Sequence, residues 1–491
     1  MFESAEVGNA VDKQTYRAEL PKLRAELLAA QHALAGAHFS VVLLVAGFEG
    51  AGKSEVVNLL LEWLDARGIE THAMGAPTDE ERQRPPMWRY WRRLPPTGRL
   101  GIFFGSWDEG LLYRCAFGLI SRDDLDRALD RETAFERMLH HENTLLVKVW
   151  LHLTHAGQKE RLRKLRADPR QRWRAGKRER RFLKHYDEIR SVSEHTLRRT
   201  NTAEAPWAIV EATDRRYRNL AVGRALLAAL RQRLAQPERA PLEPRPALLH
   251  PPPRNVLSQL DLSRTLDPSE YDERLVGAQA NLVRLTRRMR KKGRSAILVF
   301  EGPDAAGKGG AIRRITAAMD ARDYQVISIG PPTDEERAHP YLWRFWRHLP
   351  RLGKVTIYDR SWYGRVLVER VEGFARPEEW QRAYGEINDF EEQLTDFGII
   401  LVKFWLALSP DEQLRRFEAR QETPYKQYKI TPDDWRNRER WESYEAAACD
   451  IVEKTSTQQA PWVLVEANSK EWARVKVLDN VVQRLEDTFA S

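Results

Sequence analysis

Gly302-Pro303-Asp304-Ala305-Ala306-Gly307-Lys308-Gly309-Gly310 follows the apolar run Ala296-Ile297-Leu298-Val299-Phe300 and leads into a helix-like stretch, 309–321. A short β-branched apolar run reads as a buried strand. A G-x-x-x-x-G-K turn between strand and helix reads as a phosphate-binding loop. Glycines let the backbone curl until successive N–H groups, here from Gly302, Ala305, Ala306, Gly307, Gly309 and Gly310, face an anion. The following helix adds its positive end, and Lys308 adds a compact charge. An ordinary Gly-rich turn is the competing reading, and the strand-loop-helix context weighs against it. Position 309 is Gly, where such loops carry a Ser or Thr hydroxyl for Mg²⁺. Asp304 can take that task, because a carboxylate is the better ligand for a hard cation.

Outward from the loop, the strand candidate 354–358 ends at Asp359-Arg360. A strand-terminal Asp can cap the next helix, but beside a phosphate loop it reads as a second Mg²⁺ ligand, with Arg360 bracing transferring oxygens. Arg365 and Arg370 follow at near-helical spacing, and Arg415, Arg416 and Arg420 occupy the helix expected over 410–420. Arginine suits phosphate because its planar fork binds two oxygens; a solvated basic face is the alternative. Lys426 and Lys429, after Thr423-Pro424, read as a basic lid that excludes water. The Trp/Arg-rich segment 343–347 reads as core plus rim rather than a base-stacking platform.

The chain also repeats itself. Gly47 to Lys53 matches Gly302 to Lys308, Pro77-Thr78-Asp79-Glu80-Glu81-Arg82 recurs as Pro332-Thr333-Asp334-Glu335-Glu336-Arg337, and Ala205-Pro206-Trp207 recurs as Ala460-Pro461-Trp462. Each pair is 255 positions apart, as 47 is from 302. This is a tandem duplication of a domain of roughly 230 residues. Copies are expected over 1–235 and 257–491, separated by a Pro-rich, semi-rigid linker over 236–256, a composition that argues against a buried path. In the second copy, further strands are expected over 325–329, 399–405 and 462–465, and helices over 377–395 and 410–420; each copy is expected to have a helical lead-in, over 13–34 in the first and 271–291 in the second. Strands alternating with helices imply an α/β fold with a parallel sheet covered on both faces.

Composition narrows the classes. Hydrophobic residues are 42% and charged residues 31%, a globular balance, and no apolar run approaches a membrane span. The two cysteines are too few for a disulfide framework or a zinc site. With no apolar signal core behind the acidic start, these features point to a cytoplasmic protein. The net charge of +9 fits either an anionic substrate or a mixed solvated surface.

The second copy resembles the polyphosphate kinase 2 family. Its loop 302–310 has the G-x-D-x-A-G-K-G-G form, and Asp359-Arg360-Ser361-Trp362-Tyr363 has the D-R-S-W-Y form. Glu369-Arg370-Val371 is also similar. The tandem arrangement resembles the two-domain members, polyphosphate:AMP phosphotransferases. The resemblance implies tandem P-loop kinase-like three-layer α/β/α domains with a helical lid, and reversible Mg²⁺-dependent (or Mn²⁺-dependent) transfer of the terminal phosphate of polyphosphate to AMP, giving ADP. Asp304, Lys308, Asp359 and Arg360 would be catalytic, with Asp304 and Asp359 on the metal. Asp304, Arg360, Glu369 and Arg370 would face the nucleotide. Gly302, Ala305, Ala306, Gly307, Gly309, Gly310, Arg365, Arg416, Arg420, Lys426 and Lys429 would face phosphate. No nucleic acid or membrane partner is implied, and the halves would form an internal pseudo-dimer.

The first copy departs from this pattern. Its loop 47–54 fits GxxxxGK[ST] better than the second, yet Phe104 stands at the position of Asp359, Gly105 at that of Arg360 and Asp108 at that of Tyr363. Phe cannot bind a metal, so this copy is expected to be silent. Its basic stretch 161–184 either holds polyanion or is a solvated face. The competing activity is an ATP-dependent nucleoside monophosphate kinase, built on the same loop and metal chemistry. A non-enzymatic nucleic-acid binder would leave the Asp304/Lys308/Asp359 set unexplained.

Overall fold

Strands that are apolar at every position have no solvent side, so they assemble as parallel sheets with helices on both faces. The structure is a computed structural model. It describes all residues except 108, 171, 238–241, 425, 426, 428, 429 and 491, and also leaves out the side chain of Arg174. The described residues form two compact units, 1–77 with 89–239 and 333–341, and 78–88 with 240–332 and 342–491.

In the first unit β1 (Ser40–Gly47), β2 (Ile69–Ala73), β3 (Leu100–Phe104), β4 (Thr144–His152) and β5 (Trp207–Glu211) pair in the order β2-β3-β1-β4-β5. In the second, β6 (Ser295–Glu301), β7 (Tyr324–Ser328), β8 (Val355–Asp359), β9 (Ile399–Ala407) and β10 (Trp462–Glu466) pair as β10-β9-β6-β8-β7. The two orders are the same, and every pairing is parallel. Strand order reverses around β1 and around β6, and such a switch point opens a crevice at the carboxyl ends of the strands. In the second unit the register sets Phe300 of β6 beside Asp359 of β8. The loop that follows β6 therefore begins next to that aspartate.

β6 and β9 are buried along their whole length, whereas the edge strand β7 is largely exposed. Burying a Leu, Ile or Val of this kind contributes roughly 2 kcal/mol. Strand β9 also carries a charge that apolar patterning does not announce. Lys403, fully buried in β9, donates to Glu391 Oε2 at 2.7 Å, Thr455 O at 2.7 Å and Tyr363 OH at 3.0 Å. Burial pushes the Lys403 ammonium down and the Glu391 carboxyl up, against their mutual attraction. The first unit repeats the pair as Lys148 and Glu136 at 2.6 Å.

The expected helices are present as Lys13–Leu34, Pro268–Lys291, Pro377–Asp396 and Pro410–Glu422. The helix after the phosphate loop is shorter than its apolar periodicity implies, ending at Thr316. Beyond it the bonding tightens to three-residue turns, Ala318 N to Ile315 O and Met319 N to Thr316 O. Trp343, Phe345 and Trp346 are buried, so that segment is core. The Pro-rich stretch differs from a free spacer. Ala247 N donates to Val371 O at 3.0 Å, Leu249 N to Ser443 Oγ at 3.0 Å, and Asn255, buried, donates to Glu445 Oε1. Proline removes donors only at its own positions, and the residues between the prolines supply these bonds. Among the described residues no helix is long and apolar enough to cross a membrane.

Candidate active site

The loop 302–307 is shaped by its neighbours. Gly302 has φ +138°, and a Cβ there would lie 2.5 Å from Leu406 O, so only glycine fits between β6 and β9. Gly307, φ +108°, caps the helix Lys308–Thr316. Ala305 and Arg360 also sit at positive φ, +66° and +64°, a conformation that strains a residue bearing a Cβ. Strain of this kind gathers where surrounding structure fixes a working geometry.

Lys308, 8% exposed, folds back on the loop, its Nζ donating to Gly302 O at 2.6 Å and Pro303 O at 3.2 Å. Burial pushes its ammonium pKa down and the charge of Arg360 adds to this, while Asp304, Asp359 and Glu301 oppose it. Three carboxylates and a guanidinium thus act on one ammonium. Asp304 Oδ1 accepts from Arg360 Nη2 at 2.6 Å, and Oδ2 accepts from Asn437 Nδ2 at 3.0 Å. Burial would raise the Asp304 carboxyl, but Lys308, Arg360 and those hydrogen bonds outweigh it and hold the group below the usual carboxylate range. Arg360 remains 52% exposed beside it.

The D-R-S-W-Y segment is anchored at its other three positions. Ser361 Oγ donates to buried Glu301 Oε1 at 2.8 Å, and Trp362 Nε1 and Tyr363 OH both donate to Glu391 Oε1, at 3.0 and 2.7 Å. Asp359 and Arg360 are therefore presented from a segment fixed to the core by the Lys403–Glu391 pair. Burial pushes the Glu301 carboxyl up.

Asp304, Lys308, Asp359 and Arg360 come together as expected from the sequence, while several arginines have other tasks. Arg416, expected on phosphate, is buried behind the loop. Its Nη1 donates to Ala305 O and Ala306 O, its Nη2 to Ala467 O and Asn468 O, and its Nε to Glu412. All five N–H groups are used, so Arg416 buttresses the loop from within. Arg370, expected at the nucleotide, donates to Asp450 Oδ2 at 2.6 Å and Tyr384 OH at 2.8 Å, with its guanidinium over Trp380. Glu369 pairs with Arg365 at 3.1 Å. Arg420 is half-buried. Lys426 and Lys429 lie outside the described residues, as does Asp108.

A cavity of about 240 Å³ opens beside Gly302, Asp304 and Arg360. Its apolar wall includes Leu257, Leu262, Leu367, Trp405, Trp441 and Tyr444. Tyr444 OH shares its one proton between Asn437 Oδ1 at 3.0 Å and Glu372 Oε1 at 3.1 Å, a chain that leads back to Asp304. Sequence reading missed Asn437, Tyr444, Glu301 and the 257–262 segment. The tandem offset could have drawn attention to Glu301, because Ala46 stands in its place.

Among the described residues no group of three or more His, Cys, Asp or Glu side chains is arranged to hold a metal. Asp304 and Asp359 offer oxygen donors from two carboxylates. That set fits Mg²⁺, which takes one or two carboxylates and completes its shell with water and substrate phosphates.

The polyphosphate kinase 2 family model matches residues 10–238 and 265–490. A polyphosphate:AMP phosphotransferase of Pseudomonas aeruginosa is 52% identical over 492 residues, covering 100% of this chain and 99% of the relative. One of Pseudomonas syringae pv. tomato is 50% identical over 493 residues with the same coverage. A polyphosphate kinase 2 crystal structure from Pseudomonas aeruginosa superposes with TM-score 0.90 at 50% identity, covering 100% of this chain and 99% of that one.

Proposed function

The chain belongs to the polyphosphate kinase 2 family, and from that premise we propose that it moves the terminal phosphate of inorganic polyphosphate to AMP, giving ADP. The observation that carries this reading is the whole-length match to relatives bearing that activity in their names. The second unit's geometry supplies the chemistry.

The loop amides and Lys308 grip phosphate, and Arg360, half exposed beside its bond to Asp304, meets charge that spreads onto the transferring oxygens. Asp304 and Asp359 would hold Mg²⁺, or Mn²⁺ on the same donors, and the bound ion would neutralise phosphoryl oxygens. An oxygen of the AMP phosphate attacks the terminal phosphorus of polyphosphate. One P–O bond forms, the bridging P–O bond breaks, and the shortened chain leaves with the electron pair. The nucleophile is already ionised at neutral pH, so no strong base is needed. An anhydride replaces an anhydride, so the reaction runs in both directions. The cavity beside the loop offers Trp405 and Trp441 to a nucleobase, with few groups to read its edge.

Incubation with AMP and polyphosphate in the absence of ATP, with nucleotides separated by chromatography, tests the reading. ADP is the expected product. ADP formed from ATP and AMP, with none from polyphosphate, would make the chain a nucleoside monophosphate kinase instead.

A further inference from the structure

The first unit keeps the loop and its lysine, and the structure shows what that lysine holds. Lys53 Nζ donates to Gly47 O at 3.1 Å and to Glu109 Oε1 at 2.6 Å. Tyr113 OH donates to the same carboxylate oxygen at 3.3 Å. The position 255 residues after Glu109 is Gly364, and the hydrogen bonds of Lys308 Nζ go instead to the backbone carbonyls Gly302 O and Pro303 O. Gly105, in the place of Arg360, leaves the room that this arrangement needs: a Cβ there would meet Glu109 Oε2 at 2.8 Å. A carboxylate offers an ammonium the same negative oxygens that a phosphate does.

A second region tells the same story independently. Leu257, Pro303, Ala407 and Trp441 line the second unit's cavity. Their counterparts at the 255-residue offset are Phe2, Phe48, His152 and Tyr186. Phe2 stacks on His152 with centroids 4.3 Å apart, and Phe48 lies against His152 and Tyr186, each at 5.2 Å. Phe2 and Phe48 are fully buried in the first unit's core cluster. Leu257, Pro303 and Ala407 line space beside a single ring, Trp441, in one copy, and four aromatic rings pack against one another in the other.

We propose that the first unit is a self-occupied copy of the ligand site. The Glu109 carboxylate takes the place of a phosphate on Lys53, and the Phe2–His152 stack takes the place of a base. Its silence then has two causes, missing catalytic groups and a site already filled. Removing the carboxylate reopens an anion-binding loop that the fold still encodes.

The test uses the full chain and inorganic tripolyphosphate, with binding counted by equilibrium dialysis for wild type, Glu109→Gly and Glu109→Gln. Thermal melting followed by circular dichroism verifies folding. Glu109→Gly, which installs the residue of the second copy, is expected to bind one more tripolyphosphate per chain than wild type. Acylation mapped by mass spectrometry should find Lys53 protected in wild type, reactive in the variant, and protected again by tripolyphosphate. If Glu109→Gly does not fold, Glu109→Gln carries the test, since it keeps the bulk and removes the charge. Unchanged stoichiometry in a folded variant overturns the proposal, as does Lys53 reacting as readily in wild type as in the variant.

Discussion

The two units share strand order, a phosphate loop and a buried Lys–Glu pair, yet they differ where chemistry would occur. The second presents Asp304, Lys308, Asp359 and Arg360 at one crevice, with a cavity beside them. The first has Phe104 at the end of the equivalent strand, Gly105 after it, and a lysine held by Glu109. The first loop nonetheless fits the general motif better, because Ser54 follows Lys53. A phosphate loop also joins strand to helix, so its sequence can persist for folding after its ligand chemistry is gone. The loop alone does not distinguish the copies; the residue that ends the neighbouring strand does, Asp359 in one and Phe104 in the other.

Substitutions that exchange the copies' differences sharpen this contrast. The largest effect is expected from Asp359→Asn, which should lower phosphotransfer by at least about 10²-fold, in the range seen when a charge-stabilising group is removed. The fold should survive, and Phe104→Asp in the first unit should add no turnover; rates and circular dichroism check both. Next, Arg416→Ala should destabilise the second unit by about 3 kcal/mol in urea unfolding, because four carbonyls, two in the phosphate loop and two just after β10, lose their donor. Arg416→Lys should not restore it, since an ammonium cannot span that set. A substrate-binding role alone would instead leave unfolding unchanged.

Asp304 gives a smaller, pH-linked effect. Its carboxyl is held below the ordinary range, so its contribution to stability is present above the unfolded value of 3.8 and is lost as pH falls through the lower folded value. Urea midpoints of Asp304→Asn measured between about pH 5 and pH 2 should fall less steeply than those of wild type. The smallest effect is expected at Ala305, whose φ is +66° where the first copy has Gly50 at +84°. Ala305→Gly should stabilise by about 1 kcal/mol through relief of left-handed strain; a loss of that size would mean that the loop needs the methyl group's packing.

The strand-loop-helix, the strand-terminal Asp359 and the duplication were legible because each is local or recurs at a fixed offset. The arginines were misread because spacing on a helix shows that Arg416 and Arg370 exist, while their partners at Ala467 and Asp450 lie far along the chain. Asn437 reaches Asp304 across 133 positions, with no local signature to announce it. Lys403 sits within an apolar strand pattern, and only the three-dimensional arrangement shows that Glu391 and Tyr363 satisfy it. The filled site of the first unit was hidden for a similar reason: Glu109 is ordinary helix-start sequence until Lys53 is placed beside it.

The most direct measurement compares Lys308→Ala with Lys53→Ala in the full chain, following ADP formed from AMP and polyphosphate. The account predicts that ADP disappears with the first substitution and forms at the wild-type rate with the second. Undiminished ADP from Lys308→Ala, or its loss only in Lys53→Ala, would contradict the assignment of transfer to the second unit.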